Sequence, residues 1–198
     1  GRAMEEQSPT SYFYDLNFDD IDYTCTPLLF GEYEKCLFRN CNFSKVLLND
    51  HKFVECEFVS CDLSLVKLAN TSLRDVMFTE CKMLGLKFEE CHEFGLAVSF
   101  EKCILNDSSF YKTTLKKTDF KECRLINTDF SESDITGSVF EKCDLAGAIF
   151  KSTNLEKADF RSSHNYTIDP EINRIKKAKF SIPQVIGLLN KYDIKIEM

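Results

Sequence analysis

Large apolar side chains recur at every fifth residue through most of this 198-residue chain. Two series carry the pattern, one from Tyr33 to Phe88 and one from Phe100 to Phe160, and together they hold 13 of the 18 phenylalanines. An amphipathic helix has an apolar period near 3.6 and a strand has a period of 2, so neither explains a period of five. The spacing predicts a repeat that turns a corner every five residues and winds into a solenoid.

The residue two positions before each large side chain is small or β-branched nearly everywhere, as at Cys36, Cys41, Val46 and Cys56. The other three positions of each five are mostly Lys, Glu, Asp, Ser and Asn. We therefore expect two inward positions in every five residues, one large and one small, and three outward positions.

The segments 143–147 (CDLAG), 148–150 (AIF) and 158–160 (ADF) resemble the A(D/N)LXX signature of the pentapeptide-repeat family. The resemblance extends over roughly residues 13–180. It implies an all-β solenoid, in which four pentapeptides form one square turn of a right-handed quadrilateral β-helix.

If this geometry holds, residues four pentapeptides apart must stack. Cysteines 41, 61 and 81 form one such column, and cysteines 103, 123 and 143 form a second. The second column is displaced by two positions relative to the first, and Phe78 and Phe100 show the same displacement, so one two-residue insertion explains both. A column of phenylalanines crosses the insertion: 38, 58, 78, 100, 120, 140 and 160. About seven coils at the ~4.8 Å spacing of stacked strands predict a rod roughly 35 Å long.

Three regions are expected along the chain. Residues 1–12 contain a tag scar (Gly1 to Ala3, ahead of Met4) and an N-terminal tail, residues 13–180 form the β-helix, and residues 181–198 form a C-terminal cap. The two-residue bulge is expected near 93–97, around Gly95. The sequence shows neither a signal peptide pattern nor an 18-residue apolar run, so we expect a soluble cytoplasmic protein without a membrane partner.

Ten cysteines suggest either disulfides or a metal site. They recur at intervals of one or four pentapeptides, which spreads the sulfur atoms over neighbouring faces or successive coils, whereas zinc sites need clustered pairs. We therefore expect free core thiols and no bound metal. His51 occupies an inward position and is expected to be a satisfied core histidine.

The sequence contains none of the catalytic motifs that place a nucleophile, a metal pair or a phosphate-binding loop. Carboxylates on adjacent coils, such as Glu101 and Glu122, are expected to be exposed neighbours. We predict neither catalytic activity nor a cofactor.

The C-terminal region differs from the repeats. Residues 181–192 read as a short helix with Ser181 as N-cap, and residues 193–197 alternate like a strand. Lys179-Phe180, the Leu-Leu helix and the Ile-x-Ile strand resemble the C-terminal end of Qnr-type quinolone-resistance proteins. This resemblance implies a homodimer. The expected dimerisation residues are Val185, Ile186, Leu188, Leu189, Ile194 and Ile196.

The Qnr resemblance also implies a function, which is to protect DNA gyrase or topoisomerase IV from quinolones by mimicking duplex DNA. The charge fits this role only weakly, because residues 36–163 carry 20 acids and 17 bases. The acidic positions expected to bind the topoisomerase are Glu57, Glu80, Glu101, Asp119, Glu122, Glu141 and Asp159.

The alternative is a protein-interaction rod with an unknown partner. Its expected surface is an apolar strip of outward residues, Leu65, Leu84, Ile104 and Ile126. Direct nucleic-acid binding is not expected, because the pI is near 5.1 and the sequence has no basic stripe.

Overall fold

The computed structural model describes residues 11–198 as a stack of coils. The strands are β1 Ser11–Tyr14, β2 Asn17–Asp19, β3 Gly31–Glu34, β4 Leu37–Arg39, β5 Lys52–Val54, β6 Glu57–Val59, β7 Ser72–Arg74, β8 Val76–Thr79, β9 Val98–Glu101, β10 Asp119–Lys121 and β11 Val139–Glu141. The helices of the described range are three short 3₁₀ segments, Phe88–Glu90, Gln184–Leu188 and Asn190–Tyr192. None of the helices between residues 11 and 198 has the length and apolar character needed to span a membrane.

The coils have four sides. One side is the parallel sheet β1-β3-β5-β7, and the next is the seven-stranded parallel sheet β2-β4-β6-β8-β9-β10-β11. The other two sides are joined by single parallel bridges, such as Asn42 with Asp62 and Ser109 with Asp129. Paired residues such as Phe38 and Phe58 are four pentapeptides apart in the sequence, so the predicted four-sided β-solenoid is confirmed.

The five-residue period arises from the backbone at the corners. Every fifth residue, from Asp15 to Lys177 and with few interruptions, has a φ near +50° to +65°, or slightly above at a few glycines. This left-handed conformation is uncommon for residues other than glycine. It is supported here by the neighbouring coil, because the corner N–H of Lys35 donates to the Val54 carbonyl at 2.9 Å, and Asn40 donates to Val59 at 3.0 Å.

The large residues fill the interior as columns of stacked rings. Phe120 and Phe140 have centroids 4.9 Å apart and ring planes within 3° of parallel. Phe130, in the column on the opposite side, meets Phe120 edge-on at 5.9 Å and 85°. Both arrangements are favourable for aromatic pairs, so the rings add to the stability from buried apolar area.

The small inward residues donate hydrogen bonds between coils. The Cys61 thiol donates to the Phe38 carbonyl at 3.4 Å, and the Ser138 hydroxyl donates to the Leu115 carbonyl at 2.6 Å. Donor and acceptor occupy equivalent positions of the repeat in both cases. Cys, Ser and Thr alternate at this position because each is small and each carries a donor.

The single change of register lies beside the 3₁₀ segment Phe88–Glu90. The His92 N–H donates to the Thr71 carbonyl in the regular register, whereas Val76 pairs with Val98, which lies two positions beyond its regular partner. The two extra residues therefore lie between His92 and Val98, where Gly95 has a φ of +77°. The rings of Phe78 and Phe100 stack at 5.4 Å across the insertion.

The first coil starts earlier than predicted, because β1 pairs with β3 from Ser11 onward instead of from residue 13. Phe18 stacks on Phe38 at 4.8 Å, so the early repeats join the core. The predicted tag scar lies outside the described residues.

The C-terminal region differs from the prediction: it contains short 3₁₀ segments where a helix was expected, and the expected strand is absent. The helix is replaced by the 3₁₀ segments 184–188 and 190–192, and Ser181 makes no side-chain cap. These tight turns bring Gly187 against the last coil, where a Cβ would lie 2.1 Å from the Tyr166 carbonyl oxygen. Residues 193–198 form no strand and are exposed, because no described strand lies beside them to share backbone hydrogen bonds.

Candidate partner-binding surfaces

The predicted acidic positions lie together on the side formed by the seven-stranded sheet. Glu57, Asp119 and Asp159 precede the stacked phenylalanines, and Glu101 and Glu141 follow them. Glu80 and Glu122 occupy left-handed corners of the same side. The seven carboxylates therefore share one outer surface.

Acidic and basic side chains alternate from coil to coil within two columns of this surface. Lys121 lies between Glu101 and Glu141 in one column, with its Nζ 3.9 Å from the Glu101 carboxylate and 4.0 Å from that of Glu141. In the corner column, Lys102 and Lys142 alternate with Glu80 and Glu122. We call this surface the charge ladder. Alternating charges cancel at a distance of a Debye length, so the ladder is locally charged without forming a continuous acidic stripe.

The charge of the rod differs more strongly between its two ends. Residues 11–30 contain four aspartates and no lysine or arginine, whereas residues 173–198 contain six bases and two acids. The described chain therefore has an acidic first coil and a basic last coil. A partner with a uniform charge would bind one end better than the other.

The four residues of the predicted apolar strip do not form one continuous surface. Leu65 is 46% exposed at a corner and lies against Gly85 of the next coil. Its Cδ2 is 2.7 Å from the position that a Cβ atom on residue 85 would occupy. Leu84 and Ile126 lie half-buried in one column, with Asn106 between them. Ile104 lies in a separate column, bridged to Lys82 and Arg124. These apolar residues are separated by polar neighbours.

The C-terminal residues predicted for dimerisation divide into two groups. Leu188 packs against the core, and Val185 is half-buried. Ile186, Leu189, Ile194 and Ile196 surround an open groove, and each is between 40% and 56% exposed. Asn190 and Asp193 also line this groove. Exposed apolar side chains clustered at the end of a rod are typical of an interface.

The cysteines behave as core residues. All ten are free thiols, and nine of them are buried. Burial raises the pKa of the Cys56 thiol to about 12 and that of Cys41 to about 11, which disfavours the thiolate needed for nucleophilic or redox chemistry. Within residues 11–198, no group of His, Cys, Asp and Glu side chains is arranged to hold a metal ion.

His51 is buried as predicted but is not fully satisfied. Its Nδ1 lies 3.3 Å from the Asn49 carbonyl oxygen, and its Nε2 has no hydrogen-bond partner among the described residues. The ring stacks on Phe53 at 6.1 Å, with Phe30 edge-on at 5.1 Å. Burial lowers the pKa of His51, so the neutral imidazole is the form that the core accepts.

A recess in the surface has no counterpart in the sequence predictions. It is half-open, has a volume of about 480 Å³ and lies beside the two-residue insertion, with Glu89, Phe94 and Tyr111 among its lining residues. The only sequence signal for it is the insertion itself, which contains an aromatic residue at a position where the repeats have polar ones.

The family model of the pentapeptide repeat region matches residues 32–93 and 96–168. The break between the two matches falls at the insertion. Among curated protein sequences, none is similar enough to this chain to be matched.

One solved structure shares the fold, and two others are weaker matches. A trypsin-treated variant of QnrB1, a plasmid-mediated fluoroquinolone resistance protein, is 19% identical with a TM-score of 0.57, covering 95% of this chain and 92% of that chain. Full-length QnrB1 is 20% identical with a TM-score of 0.48, over 93% of this chain and 100% of that chain. HetL from the cyanobacterium Nostoc sp., a pentapeptide repeat protein involved in heterocyst differentiation regulation, is 13% identical with a TM-score of 0.38, over 86% of each chain.

Proposed function

The chain belongs to the pentapeptide-repeat family, and from this premise we propose that it is a non-catalytic rod that binds a type II topoisomerase, DNA gyrase or topoisomerase IV. The observation that carries the proposal is the solenoid itself, which matches QnrB1 over 95% of this chain. QnrB1 is a fluoroquinolone resistance protein, so the proposed activity is protection of the topoisomerase from quinolones.

The charge ladder is the proposed contact surface. Its seven carboxylates lie on one side of a narrow rod, as a surface that replaces duplex DNA requires. Lys121 and its neighbours weaken the field of that surface. We therefore propose a modest affinity that falls steeply with added salt, because association driven by exposed charges is screened.

A second copy of the chain completes the proposed assembly. The proposed dimerisation surface is the groove lined by Ile186, Leu189, Ile194 and Ile196. Residues 193–197 are proposed to pair as a strand with the second copy. Removing residues 193–198 tests this proposal while leaving Leu188 packed on the core. Sedimentation should then show a dimer for the full chain and a monomer for the truncated chain. A full-length protein that is monomeric at micromolar concentration would refute the dimer.

The alternative function is an interaction rod for another protein, without DNA mimicry. The interleaved lysines favour it, because a balanced surface is suited to an equally balanced partner. In this case the apolar residues Leu65, Leu84, Ile104 and Ile126 are the proposed contacts.

A gyrase supercoiling assay with and without quinolone separates the two functions. The triple variant Glu101→Gln, Glu122→Gln, Glu141→Gln should lose protection under the topoisomerase proposal, because the ladder then loses three carboxylates and keeps all its lysines. The matched control Asp50→Asn, Asp107→Asn, Glu132→Gln removes three corner carboxylates from other sides of the rod and should retain protection. If the parent protein neither binds nor protects the topoisomerase, the alternative is the better description.

A further inference from the structure

The recess beside the insertion has the size of a binding site, at about 480 Å³. Phe88, Glu89, Cys91, Phe94, Leu96 and Tyr111 are among its lining residues. The volume lies within the range of roughly 300–1,000 Å³ that is usual for ligand pockets.

The insertion creates this recess. Cys91 and Thr113 occupy equivalent inward positions of neighbouring coils, but they are two positions further apart in the sequence than the regular repeat requires. The extra residues leave the regular path after His92, so the side of the rod opens at this corner. Phe88 is 1% exposed and Cys91 is 7% exposed, so these residues form a closed apolar floor.

One carboxylate in the recess is incompletely hydrogen-bonded. The Oε2 atom of Glu89 is buried, and within residues 11–198 it has no hydrogen-bond partner. Loss of contact with water raises the pKa of Glu89, although hydrogen bonds from Ser109 and from its own backbone oppose the change. A buried acceptor without a donor is unfavourable, and a ligand that supplies the donor recovers that free energy.

The cation that lines the recess is engaged elsewhere. The Nζ of Lys112 lies over the Tyr111 ring, 5.2 Å from its centroid. Arg74 lies against Gly95 and does not line the recess. Glu89 forms no ion pair within the described residues, although the nearby charge of Lys87 favours its ionised form.

Apolar side chains complete the site. Phe94 is 70% exposed at the tip of the insertion, an unusual exposure for a large aromatic ring, and Leu96 is half-buried beside it. Tyr111 presents a second ring on the facing coil. The recess thus combines two carboxylates, the partly buried Glu89 and the exposed Glu93, with the partly exposed rings of Phe94 and Tyr111.

We propose that this recess binds an arginine side chain of a partner protein. A guanidinium group is planar, donates two parallel hydrogen bonds to a carboxylate, and stacks on aromatic rings. Lysine offers a point charge that is more strongly hydrated and fits this combination less well. The inference goes beyond the proposed function, because it does not depend on binding to a topoisomerase.

The test uses the peptide acetyl-Phe-Arg-amide and its neutral match, acetyl-Phe-citrulline-amide. Titration of the full chain, followed by amide NMR shifts, should show saturable binding of the arginine peptide at residues 89–96 and 109–114. The citrulline peptide should bind at least fivefold more weakly. Absence of saturable binding, or equal binding of both peptides, would overturn the proposal.

Two variants locate the site. Glu89→Gln should weaken binding of the arginine peptide at least fivefold. The control Glu55→Gln, which removes an exposed carboxylate from a different corner of the rod, should leave binding unchanged. Glu89→Gln should unfold at the same temperature as the parent or higher, because a buried amide is easier to accommodate than a buried carboxylate. If that variant does not fold, Phe94→Ala provides the test, since the exposed ring can be removed without disturbing the core. Unchanged binding in whichever of these two variants folds would overturn the proposal.

Discussion

The coils before and after the insertion have the same backbone, but the order of their large inward residues is regular only after the insertion. Between Phe100 and Phe160 each coil contributes two phenylalanines and two aliphatic residues in a fixed order, and the rings of Phe140 and Phe160 stack at 4.8 Å and 5°. Between Phe53 and Phe88 the composition changes from coil to coil. Phe58 and Phe78 stack at 5.2 Å and 15°, and a small void of about 10 Å³ lies among their neighbours. Phe100 and Phe120, after the insertion, stack with the same geometry, at 5.2 Å and 15°, so the two regions differ in the order of their large residues and in this void and not in ring stacking.

The two regions also use different donors at the small inward position. Cysteine predominates before the insertion, and serine and threonine predominate after it. A hydroxyl is the stronger donor and is also costlier to bury without a partner. The comparison indicates that the interior after the insertion depends more on hydrogen bonds between coils.

The largest expected effect is on ring stacking. Phe120→Ala should lower the free energy of unfolding by about 3–5 kcal/mol, because a cavity replaces a ring that stacks on both sides. Leu68 lies beside the small void, so Leu68→Ala should lower the free energy of unfolding by an amount near the lower end of the usual range of about 2–5 kcal/mol. Urea unfolding measures both. A larger loss for Leu68→Ala would contradict the difference in packing.

A smaller effect is expected for the inward donors. Ser138→Ala removes the donor to the Leu115 carbonyl and the acceptor for the Thr118 N–H, at 2.6 Å and 3.0 Å, and should cost about 1–3 kcal/mol. Cys61→Ala removes only a weak donor and should cost less beyond the loss of sulfur volume. The variants Ser138→Cys and Cys61→Ser serve as controls for the change in side-chain volume. If the hydroxyl and the thiol then contribute equally to the free energy of unfolding, the two regions do not differ in the strength of their inward donors.

The buried histidine gives the coils before the insertion a pH dependence. Because burial lowers the pKa of His51, the folded chain takes up its proton at a lower pH than the unfolded chain does. The stability is fully present above the ordinary histidine pKa of about 6.5 and declines as the pH falls from there toward the lowered value. The unfolding temperature of the His51→Gln variant should therefore decline less steeply than that of the parent as the pH falls. Identical pH profiles would show that His51 is not the cause.

The smallest effect is expected on the charge ladder. Lys121→Gln removes two exposed ion pairs at 3.9 Å and 4.0 Å and should change the free energy of unfolding by about 0–1 kcal/mol. A loss of several kcal/mol would show that the ladder is a structural element and not a solvated surface.

Much of the fold could be predicted from the sequence, because inward residues repeat and cannot be exchanged freely. The pairing of Phe78 with Phe100 followed from one shared slip of two positions. The left-handed corners could not be predicted, since residues such as Lys35 and Glu55 have no intrinsic preference for a positive φ and adopt it only when the next coil binds the corner N–H.

The surfaces were less predictable than the core. The period of four pentapeptides already places Lys121 between Glu101 and Glu141, and the structure adds how far its Nζ lies from each carboxylate. The recess at Glu89 arises where the repeat fails, so no periodic argument could locate it. The C-terminal strand was predicted from alternation alone, and alternation does not supply the neighbouring strand that residues 193–197 need.

The proposed function is tested most directly by competition between this protein and duplex DNA for gyrase. A fluorescent duplex bound to gyrase should be displaced by the full chain, with an apparent affinity that falls steeply as the salt concentration rises. The Glu101, Glu122 and Glu141 triple glutamine variant should displace the duplex poorly, and the Asp50, Asp107 and Glu132 control should displace it as the parent does. Failure of the parent chain to displace the duplex at any salt concentration would contradict the proposal that this rod binds gyrase in place of DNA.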